Sequence, residues 1–436
     1  MMYQHKKSDK LFREALKYLP AGVSSNARLW QSTCPVGMPC SIYIARAKGS
    51  HIWDVDGHKY IDYRLGFGPV ILGHSYEAVR KELHREERKG SVYALNTEKE
   101  IIAAKLIRRF VPSMQLMRFA NSGTEATMHS LRVARGFTKK EKIVKFEGHY
   151  HGAYDYMLFS TDAKFDALGR KPVFMSEGIP KAMQKLVHVA RWNDFHGIEK
   201  LLRKRHEEIA AIICEPVMGN AGVIPPKPGF LKHLRQLCDK YNVVLIFDEV
   251  KTGFRLANGG AQEIFHVKPD ITTFSKSMGN GYPVAVFGGK KEIMQEIGPK
   301  KVVHGGTFSS NPVSLTATIA TLRELQRKSV IASMQHYGKQ LINGIVDVFA
   351  ERNVDFVIQG YATMFQLFFT KKRAWEYRDI KHANLMLFSK LHLELLRHGI
   401  MVDEDNEEPL FTCYSHSKED LEKTLEAFKH AALRLK

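Results

Sequence analysis

The residues VVLIFDEVKTGFR, at positions 243–255, carry the clearest structural signal in this chain. Residues 243–247 are apolar and rich in β-branched side chains, and the run is too short for a helix, so it predicts a buried strand. Comparable runs alternate with amphipathic helical patterns, which indicates an α/β domain with a mostly parallel central sheet. The other predicted strands are 117–120, 143–146, 209–214, 271–274 and 284–287, and the predicted helices include 124–136, 194–208 and 229–241.

The two ends of the chain differ from this middle part. After Pro312, long helical patterns surround a few strands such as 363–369, which predicts a smaller α+β domain. The opening segment has a helical pattern at 9–18 and two strand patterns around the turn Asp56-Gly57, and we expect it to pack with the C-terminal part. The long helical patterns are 313–328, 330–352 and 380–398. The predicted divisions are an N-terminal segment, 1–75, a large cofactor-binding domain, 76–325, and a C-terminal small domain, 326–436.

Composition places the chain among ordinary soluble proteins, with 44% hydrophobic and 25% charged residues. The first ten residues are polar, and no apolar run is long enough to cross a bilayer, so we expect a cytoplasmic protein without membrane association. The five cysteines are scattered and contain no CxxC pair, which argues against a disulfide framework and against a zinc site. We expect inert thiols.

The formal net charge of +19 raises the question of nucleic-acid binding. The basic residues occur as short, scattered clusters such as Lys139-Lys140 and Lys290-Lys291, without a basic tail or a recognisable nucleic-acid module. This distribution favours a solvated surface that attracts anionic metabolites over a dedicated nucleic-acid site.

Polar residues follow the predicted strands, at the edge of the sheet where ligands bind in open α/β folds. Ser122, Gly123 and Thr124 stand where a strand turns into a helix, so their N–H groups and hydroxyls would face an anion such as a phosphate. The alternative is an ordinary helix cap. The chain has no GxxxxGK[ST] loop and no GxGxxG turn between a strand and a helix, so nucleotide loops do not compete for this phosphate.

Lys276 and Asp248 end neighbouring strands of this predicted sheet. Burial lowers the pKa of a lysine, and the freed amine can form a Schiff base with an aldehyde. A carboxylate at Asp248 could keep a pyridine nitrogen protonated and make the ring an electron sink. Position alone leaves a structural Lys–Asp ion pair open as an alternative.

Tyr150 lies between two histidines and two glycines in the stretch GHYHG, residues 148–152. The glycines allow a close backbone approach, and the phenol could stack on a flat ligand. A metal site at His149 and His151 is the weaker interpretation, because no third ligand lies near in sequence. We therefore predict no metal.

Several short stretches along the chain form a joint signature. They are DVDG (54–57), YIDY (60–63), ILGH (71–74), NSGTEA (121–126), FDEV (247–250), TGFR (252–255) and GT (306–307). In these stretches, and over residues 21–416 as a whole, the chain resembles the class III, fold-type-I aminotransferases that use pyridoxal-5'-phosphate (PLP). The resemblance is closest to the branch that contains glutamate-1-semialdehyde aminomutase.

The resemblance implies a role for each candidate residue. Lys276 would be the Schiff-base lysine, and Asp248 the partner of the pyridine nitrogen. Tyr150 and Val250 would pack on the two faces of the ring, and Asn220 would bond its hydroxyl. Ser122, Gly123 and Thr124 would hold the phosphate, together with Thr307 of a second subunit, which implies a homodimer with shared active sites.

Substrate residues follow from the same resemblance. Arg28 matches an arginine that takes a substrate carboxylate in the aminomutases, and Glu408 matches an acid at the mouth of the site. A surface arginine in a loop is the alternative for Arg28, because arginine favours both roles.

Departures from the aminomutase pattern bear on the reaction. Ala163 stands in place of a serine, Lys251 in place of the usual methionine, and residues 161–180 are bulkier and more charged than the Gly/Ser/Pro-rich gate of the mutases. A mutase that loses its intermediate is a transaminase, so we favour intermolecular transamination. The alternatives are glutamate-1-semialdehyde 2,1-aminomutase, a general ω-amine or β-amino acid transaminase, and a non-catalytic or nucleic-acid-binding descendant of the fold.

The segment DEDNEE, residues 403–408, places five carboxylates in six positions. Such a loop needs cations nearby, which protein lysines, solvent ions or the substrate could supply. We expect a cationic substrate, polyamine-like or an aminosugar. Transaminases of aminoglycoside antibiotic biosynthesis resemble this branch and would fit.

Overall fold

A computed structural model describes residues 5–29, 41–169, 171–352 and 354–435 of the chain. Its strands are β1 (Ile44–Lys48), β2 (His51–Asp54), β3 (Lys59–Asp62), β4 (Leu116–Ala120), β5 (Lys142–Phe146), β6 (Val187–Ala190), β7 (Ile209–Cys214), β8 (Val244–Asp248), β9 (Ile271–Phe274), β10 (Ala285–Gly289), β11 (Val357–Tyr361), β12 (Met364–Phe368), β13 (Ile400–Met401) and β14 (Leu410–Phe411). Its helices are α1 (Lys6–Ala15), α2 (Glu77–Glu87), α3 (Glu98–Phe110), α4 (Gly123–Thr138), α5 (Phe195–Arg205), α6 (Phe230–Tyr241), α7 (Ala261–Phe265), α8 (Lys291–Met294), α9 (Pro312–Arg327), α10 (Val330–Ala350), α11 (Leu385–Arg397) and α12 (Lys418–Arg434).

The central sheet has seven strands in the order β4-β10-β9-β8-β7-β5-β6. Strand β10 runs antiparallel to both of its neighbours, and the remaining pairs are parallel. The predicted α/β class with a mostly parallel sheet is therefore confirmed. The carboxyl ends of parallel strands lie along the same edge of a sheet, so the residues that follow β5, β7, β8 and β9 lie at one edge of this sheet.

Helices cover both faces of this sheet, which explains why β7, and β8 up to Phe247, are continuously apolar. Ile212 and Leu245 belong to a core cluster with α5 and α6, and the next residues, Ile213 and Ile246, belong to a cluster with α4. Alternate side chains of one strand thus enter different cores, and every residue of β7, β8 and β9 is buried.

Two smaller sheets involve the ends of the chain. The first has the order β1-β2-β3-β13, in which Ile61 of β3 pairs in parallel with Ile400 of β13, and the second is β11-β12-β14. Ile61 also joins Leu341 of α10 and Phe428 of α12 in one core cluster. The opening segment and the C-terminal part are therefore packed together, while the domain boundaries near 75 and 325 stay a prediction.

Some helices begin or end at other residues than the sequence predicts, and in α11 a capping side chain sets the boundary. The helical pattern at 380–398 divides into a 3₁₀ turn, Tyr377–His382, and helix α11. The Asn384 side chain caps α11 by accepting a hydrogen bond from the Leu387 N–H at 3.1 Å. The helix predicted at 9–18 is α1, which begins earlier, at Lys6.

The described cysteines are Cys214, Cys238 and Cys413, which are buried and unpaired. Burial raises the pKa of the Cys413 thiol to about 12, as an inert thiol requires. Cys34 and Cys40 lie outside the described residues. No helix in the described ranges has the length and apolar character that a bilayer crossing needs.

Candidate active site

Asp248 ends strand β8, and hydrogen bonds hold its carboxylate from two sides. Its Oδ2 accepts from His151 Nδ1 at 2.7 Å, and its Oδ1 accepts from the Thr273 hydroxyl at 3.0 Å and from the Val250 N–H at 3.1 Å. Burial raises the pKa of Asp248 to about 6, although the Val250 and Thr273 bonds and the charge of Lys276 oppose this rise. The carboxylate is therefore fixed in position and mostly ionised at neutral pH, as a partner of a protonated ring nitrogen must be.

Lys276 follows strand β9 in a 3₁₀ turn, Lys276–Gly279, with a left-handed backbone (φ 45°). In a lysine this conformation costs on the order of 1 kcal/mol, and such strain is concentrated at functional sites. The Ser275 hydroxyl steadies the turn by donating to the Val284 carbonyl at 2.7 Å. Burial, followed by repulsion from Lys251, lowers the pKa of Lys276 to about 7. Much of the amine is thus neutral and nucleophilic near pH 7.

Ser122, Gly123 and Thr124 lie at the start of helix α4, directly after β4. The Ser122 hydroxyl caps the helix by accepting a hydrogen bond from the Glu125 N–H at 3.2 Å, as the capping alternative predicts. The N–H groups of Gly123 and Thr124 belong to the first helical turn and have no partner within the helix. Because a helix N-terminus also favours negative charge, capping and phosphate binding are compatible here.

Two glycines bring this helix start close to the neighbouring loops. A Cβ at Gly123 would lie 3.0 Å from a methyl group of Val250, and a Cβ at Gly152 would lie 2.6 Å from the Thr124 hydroxyl. Gly152 also has φ 103°, which glycine adopts without strain. The start of helix α4 therefore lies in close contact with Val250 and with the 148–152 loop.

The loop at 148–152 is shaped by Glu215, which follows strand β7. Glu215 Oε1 accepts a hydrogen bond from the Tyr150 N–H at 2.9 Å, and the Glu215 N–H donates to His149 Nδ1 at 2.9 Å. His151 bonds to Asp248. Both histidines are thus hydrogen-bonded to residues at the ends of β7 and β8, and Tyr150 stays 40% exposed.

Lys251 joins Asn220 and Glu408 in one contact. Its ammonium lies 2.8 Å from each carboxylate oxygen of Glu408 and 3.4 Å from Asn220 Oδ1. The predicted residues Asn220 and Glu408 are therefore brought together, and the charges of Lys251 and Glu408 both act on Lys276.

Arg28 lies further out, in the 3₁₀ turn Asn26–Arg28, with an exposed side chain. It lines a cavity of about 560 Å³ with Arg64 and Phe67, among others. Arg64 donates to the Ala27 carbonyl at 3.1 Å and pairs with Asp403, so this cavity borders the acidic segment 403–408. Arg28 is therefore linked to that segment through Arg64, and it is not among the charges that act on Lys276.

Thr307 is exposed and lines a cavity of about 330 Å³ with Tyr93 and Asn96, among others. The other predicted cofactor residues do not line this cavity. In a single chain Thr307 is therefore not gathered with Lys276 and Asp248.

Three contacts at the site were not predicted from the sequence: His151 with Asp248, Thr273 with Asp248, and Glu215 with the 148–152 loop. From the sequence, the only role that suggests itself for His151 is that of a metal ligand. The available signal is that Glu215 and Thr273 lie at the carboxyl ends of β7 and β9, the two parallel neighbours of β8, where ligand-facing side chains are expected.

Together these residues fit a ligand with an aldehyde, a basic ring nitrogen and a phosphate. Residues 34–432 match the family model described as aminotransferase class III. The chain belongs to the class III aminotransferases. This aminotransferase is 40% identical over 430 residues to a glutamate-1-semialdehyde 2,1-aminomutase of Methanosphaera stadtmanae, covering 98% of this chain and 99% of that protein. A protein of the same name from Archaeoglobus fulgidus is 41% identical, with coverage of 97% and 98%.

Solved structures agree with this family. An omega-transaminase from Sphaerobacter thermophilus superposes with a TM-score of 0.91 at 31% identity, covering 98% of this chain and 97% of that chain. A glutamate-1-semialdehyde-aminomutase from Pseudomonas aeruginosa superposes with a TM-score of 0.88 at 25% identity, covering 99% and 95%. The aminotransferase is thus a fold-type-I enzyme whose cofactor is PLP.

The rate at which the apoenzyme binds PLP is expected to depend on pH in the same way as the fraction of neutral Lys276. Only the neutral amine attacks an aldehyde, so the rate constant for PLP addition to the apoenzyme should rise with pH and level off above a midpoint near 7. An ordinary lysine would keep the rate rising towards about pH 10. Stopped-flow absorbance measures this profile. A rate that still rises about tenfold per pH unit above pH 8 would contradict the lowered pKa.

Proposed function

We propose that this aminotransferase acts as a glutamate-1-semialdehyde 2,1-aminomutase, moving the amino group between neighbouring carbons of one substrate. The observation that carries the proposal is the similarity to proteins of that name along nearly the whole chain. This favours the alternative over intermolecular transamination, which the sequence departures had suggested.

The proposed site assigns each group a task. PLP, when bound, supplies an electron-withdrawing ring that stabilises negative charge at the substrate carbon. Asp248 keeps the ring nitrogen protonated, and His151 holds that carboxylate in place. Lys276, with its lowered pKa, carries a proton between the substrate carbons as a general base and acid. Ser122, Gly123 and Thr124 at the start of α4 would hold the phosphate, and Tyr150 and Val250 would pack on the two faces of the ring.

We further propose a homodimer in which Thr307 completes the phosphate site of the partner. Exposed apolar side chains line the cavity at Thr307, namely Val92, Tyr93 and Leu95. Single apolar residues are common on surfaces, but a group of them around a cavity fits a covered interface. A cytoplasmic location stays a prediction.

A second candidate is intermolecular transamination, and a specific contact favours it. Lys251, in place of the usual methionine, occupies the rim of the site and pairs with Glu408. An aminosugar or polyamine-like acceptor stays a prediction within this candidate. Arg64 already pairs with Asp403, and burial raises the pKa of Glu407 well above that of an ordinary glutamate, so the acidic segment carries fewer unpaired charges than its sequence suggests.

The two candidates differ in their need for a second substrate. Purified holoenzyme given glutamate-1-semialdehyde alone is expected to form 5-amino-4-oxopentanoate, because the amino group that leaves the substrate returns to it. Chromatography with mass detection measures the product, and Lys276→Ala is the control for uncatalysed conversion. Turnover that requires an added amino acid or keto acid would reject the aminomutase. Exchange with cationic amines would then identify the acceptor class.

A further inference from the structure

Lys251 connects three segments at the rim of the active site. It follows strand β8, and its ammonium donates to both oxygens of Glu408 at 2.8 Å and to the Gly219 carbonyl at 3.2 Å, with Asn220 Oδ1 at 3.4 Å. The segment after β7, the segment after β8 and the acidic segment 403–408 are thus held by one cation. Its side chain is only 6% exposed, unlike that of an ordinary surface lysine.

The backbone beneath Lys251 leaves room for it. A Cβ at Gly219 would lie 3.1 Å from Lys251 Cδ and 3.3 Å from Lys251 Cβ, so the lysine stem packs directly over this glycine. Glu215 Oε2 lies on the same side and accepts a hydrogen bond from the Gly219 N–H at 2.9 Å. The path of the stem is therefore fixed, and so is the position of its charge.

A contribution to stability is the simplest alternative for this ion pair. Desolvation of two charges generally offsets their attraction, and a well-packed apolar side chain of similar volume often serves stability as well or better. A methionine has almost the length of the lysine stem and would need no partner. Stability alone therefore does not account for a lysine here.

The electrostatics point to the reaction centre instead. Besides burial, the charge of Lys251 lowers the pKa of Lys276, and the charge of Glu408 raises it. The two partners of the ion pair thus act on the same amine with opposite sign. Displacement of either partner would change the ionisation of Lys276.

We propose that Lys251 is a positioning residue of this active site, which fixes Glu408 and the Asn220 amide at the rim facing Lys276. The charge of Lys251 then balances that of Glu408, and both carboxylate oxygens of Glu408 are hydrogen-bonded to Lys251 before a substrate binds. The inference rests on the proposed PLP site but not on which amino-transfer reaction the enzyme performs.

The test is a cycle of four holoenzymes: wild type, Lys251→Met, Glu408→Gln and the double variant. The readout is the pH midpoint at which the visible absorption band of bound PLP changes, measured without substrate. In the wild-type background, Glu408→Gln removes a nearby anion and should lower the midpoint by about one unit. In the Lys251→Met background Glu408 is no longer held, and the same change should shift the midpoint by less than about half as much.

Equal shifts in the two backgrounds, or no shift in either, would overturn the proposal, because the residues would then act independently or not at all. Lys251→Arg keeps the charge and should stay within a few tenths of a unit of wild type. Thermal melting checks that each variant is folded, and Lys251→Gln replaces Lys251→Met in the cycle if the latter fails to fold. Because no substrate is present, the cycle stays informative even if the proposed aminomutase reaction is not observed.

Discussion

Replacing Lys276 by alanine is expected to leave a folded protein that has lost turnover and the visible absorption band of bound PLP. The amine supplies both the covalent link to the cofactor and the proton transfer, and the two contributions together normally exceed about a thousandfold in rate. Steady-state kinetics and absorbance spectra of the purified variant measure the two losses, and far-ultraviolet circular dichroism checks the fold.

Lys268→Ala is a matched control for this experiment. Lys268 is exposed and lies just before strand β9, whereas Lys276 lies just after it. Its replacement should leave both spectrum and turnover unchanged. Residual turnover of Lys276→Ala above about a thousandth of wild type would show that another group takes over part of the role, with Lys251 as a candidate because its charge acts on this site.

The central sheet could be predicted because its signal is local. Strands β7 and β9 have the predicted bounds, 209–214 and 271–274. Strand β7 is a continuous apolar run and β9 is a short run rich in β-branched residues, and each is bounded by polar or turn residues. Strand β8 is shifted by one residue and includes Asp248 itself. The placement of ligand-facing residues after these strands follows from the parallel topology, which the alternation with helices indicates.

The contacts that complete the site could not be predicted, because they join residues far apart in the chain. His151 and Asp248 are separated by 97 residues, and Lys251 and Glu408 by 157. No periodicity in one sequence encodes such pairs, since they depend on how strands are ordered and where loops fold back. The sequence identified Lys251 as a departure from the family but not as the partner of Glu408.

Helices α2, α3 and α12 are not predicted from the sequence, although α3 has a recognisable signal at its start. Helix α3 begins with the Thr97 and Glu100 pair that is typical of a capping box, in which the Glu100 carboxylate accepts a hydrogen bond from the Thr97 N–H at 3.3 Å. Helices α2 and α12 are highly charged and bury only one stripe of side chains, so their patterns are weaker than those of the strands.

Replacing Asp248 by asparagine is expected to keep PLP bound but to lower kcat at least about a hundredfold. The covalent link to Lys276 and the phosphate site at α4 are untouched, so the cofactor is retained. The neutral amide cannot hold the ring nitrogen protonated, and the ring then withdraws electrons poorly from the substrate carbon. Cofactor content from the absorbance spectrum, together with kcat, measures the two outcomes separately.

Thr273→Val separates the charge of Asp248 from its hydrogen bonding. The substitution removes the 3.0 Å bond to Asp248 Oδ1 but leaves the carboxylate, His151 and the Val250 N–H in place. A hydrogen bond to a charged group contributes about 1.5–3 kcal/mol, but His151 and the Val250 N–H still hold the carboxylate, so only part of this is lost and kcat should fall by no more than about tenfold. If Asp248→Asn fell only as far as Thr273→Val, the carboxylate charge would not be what activates the ring. His151, already placed 2.7 Å from the same carboxylate, would then have to be tested as the group that orients the ring.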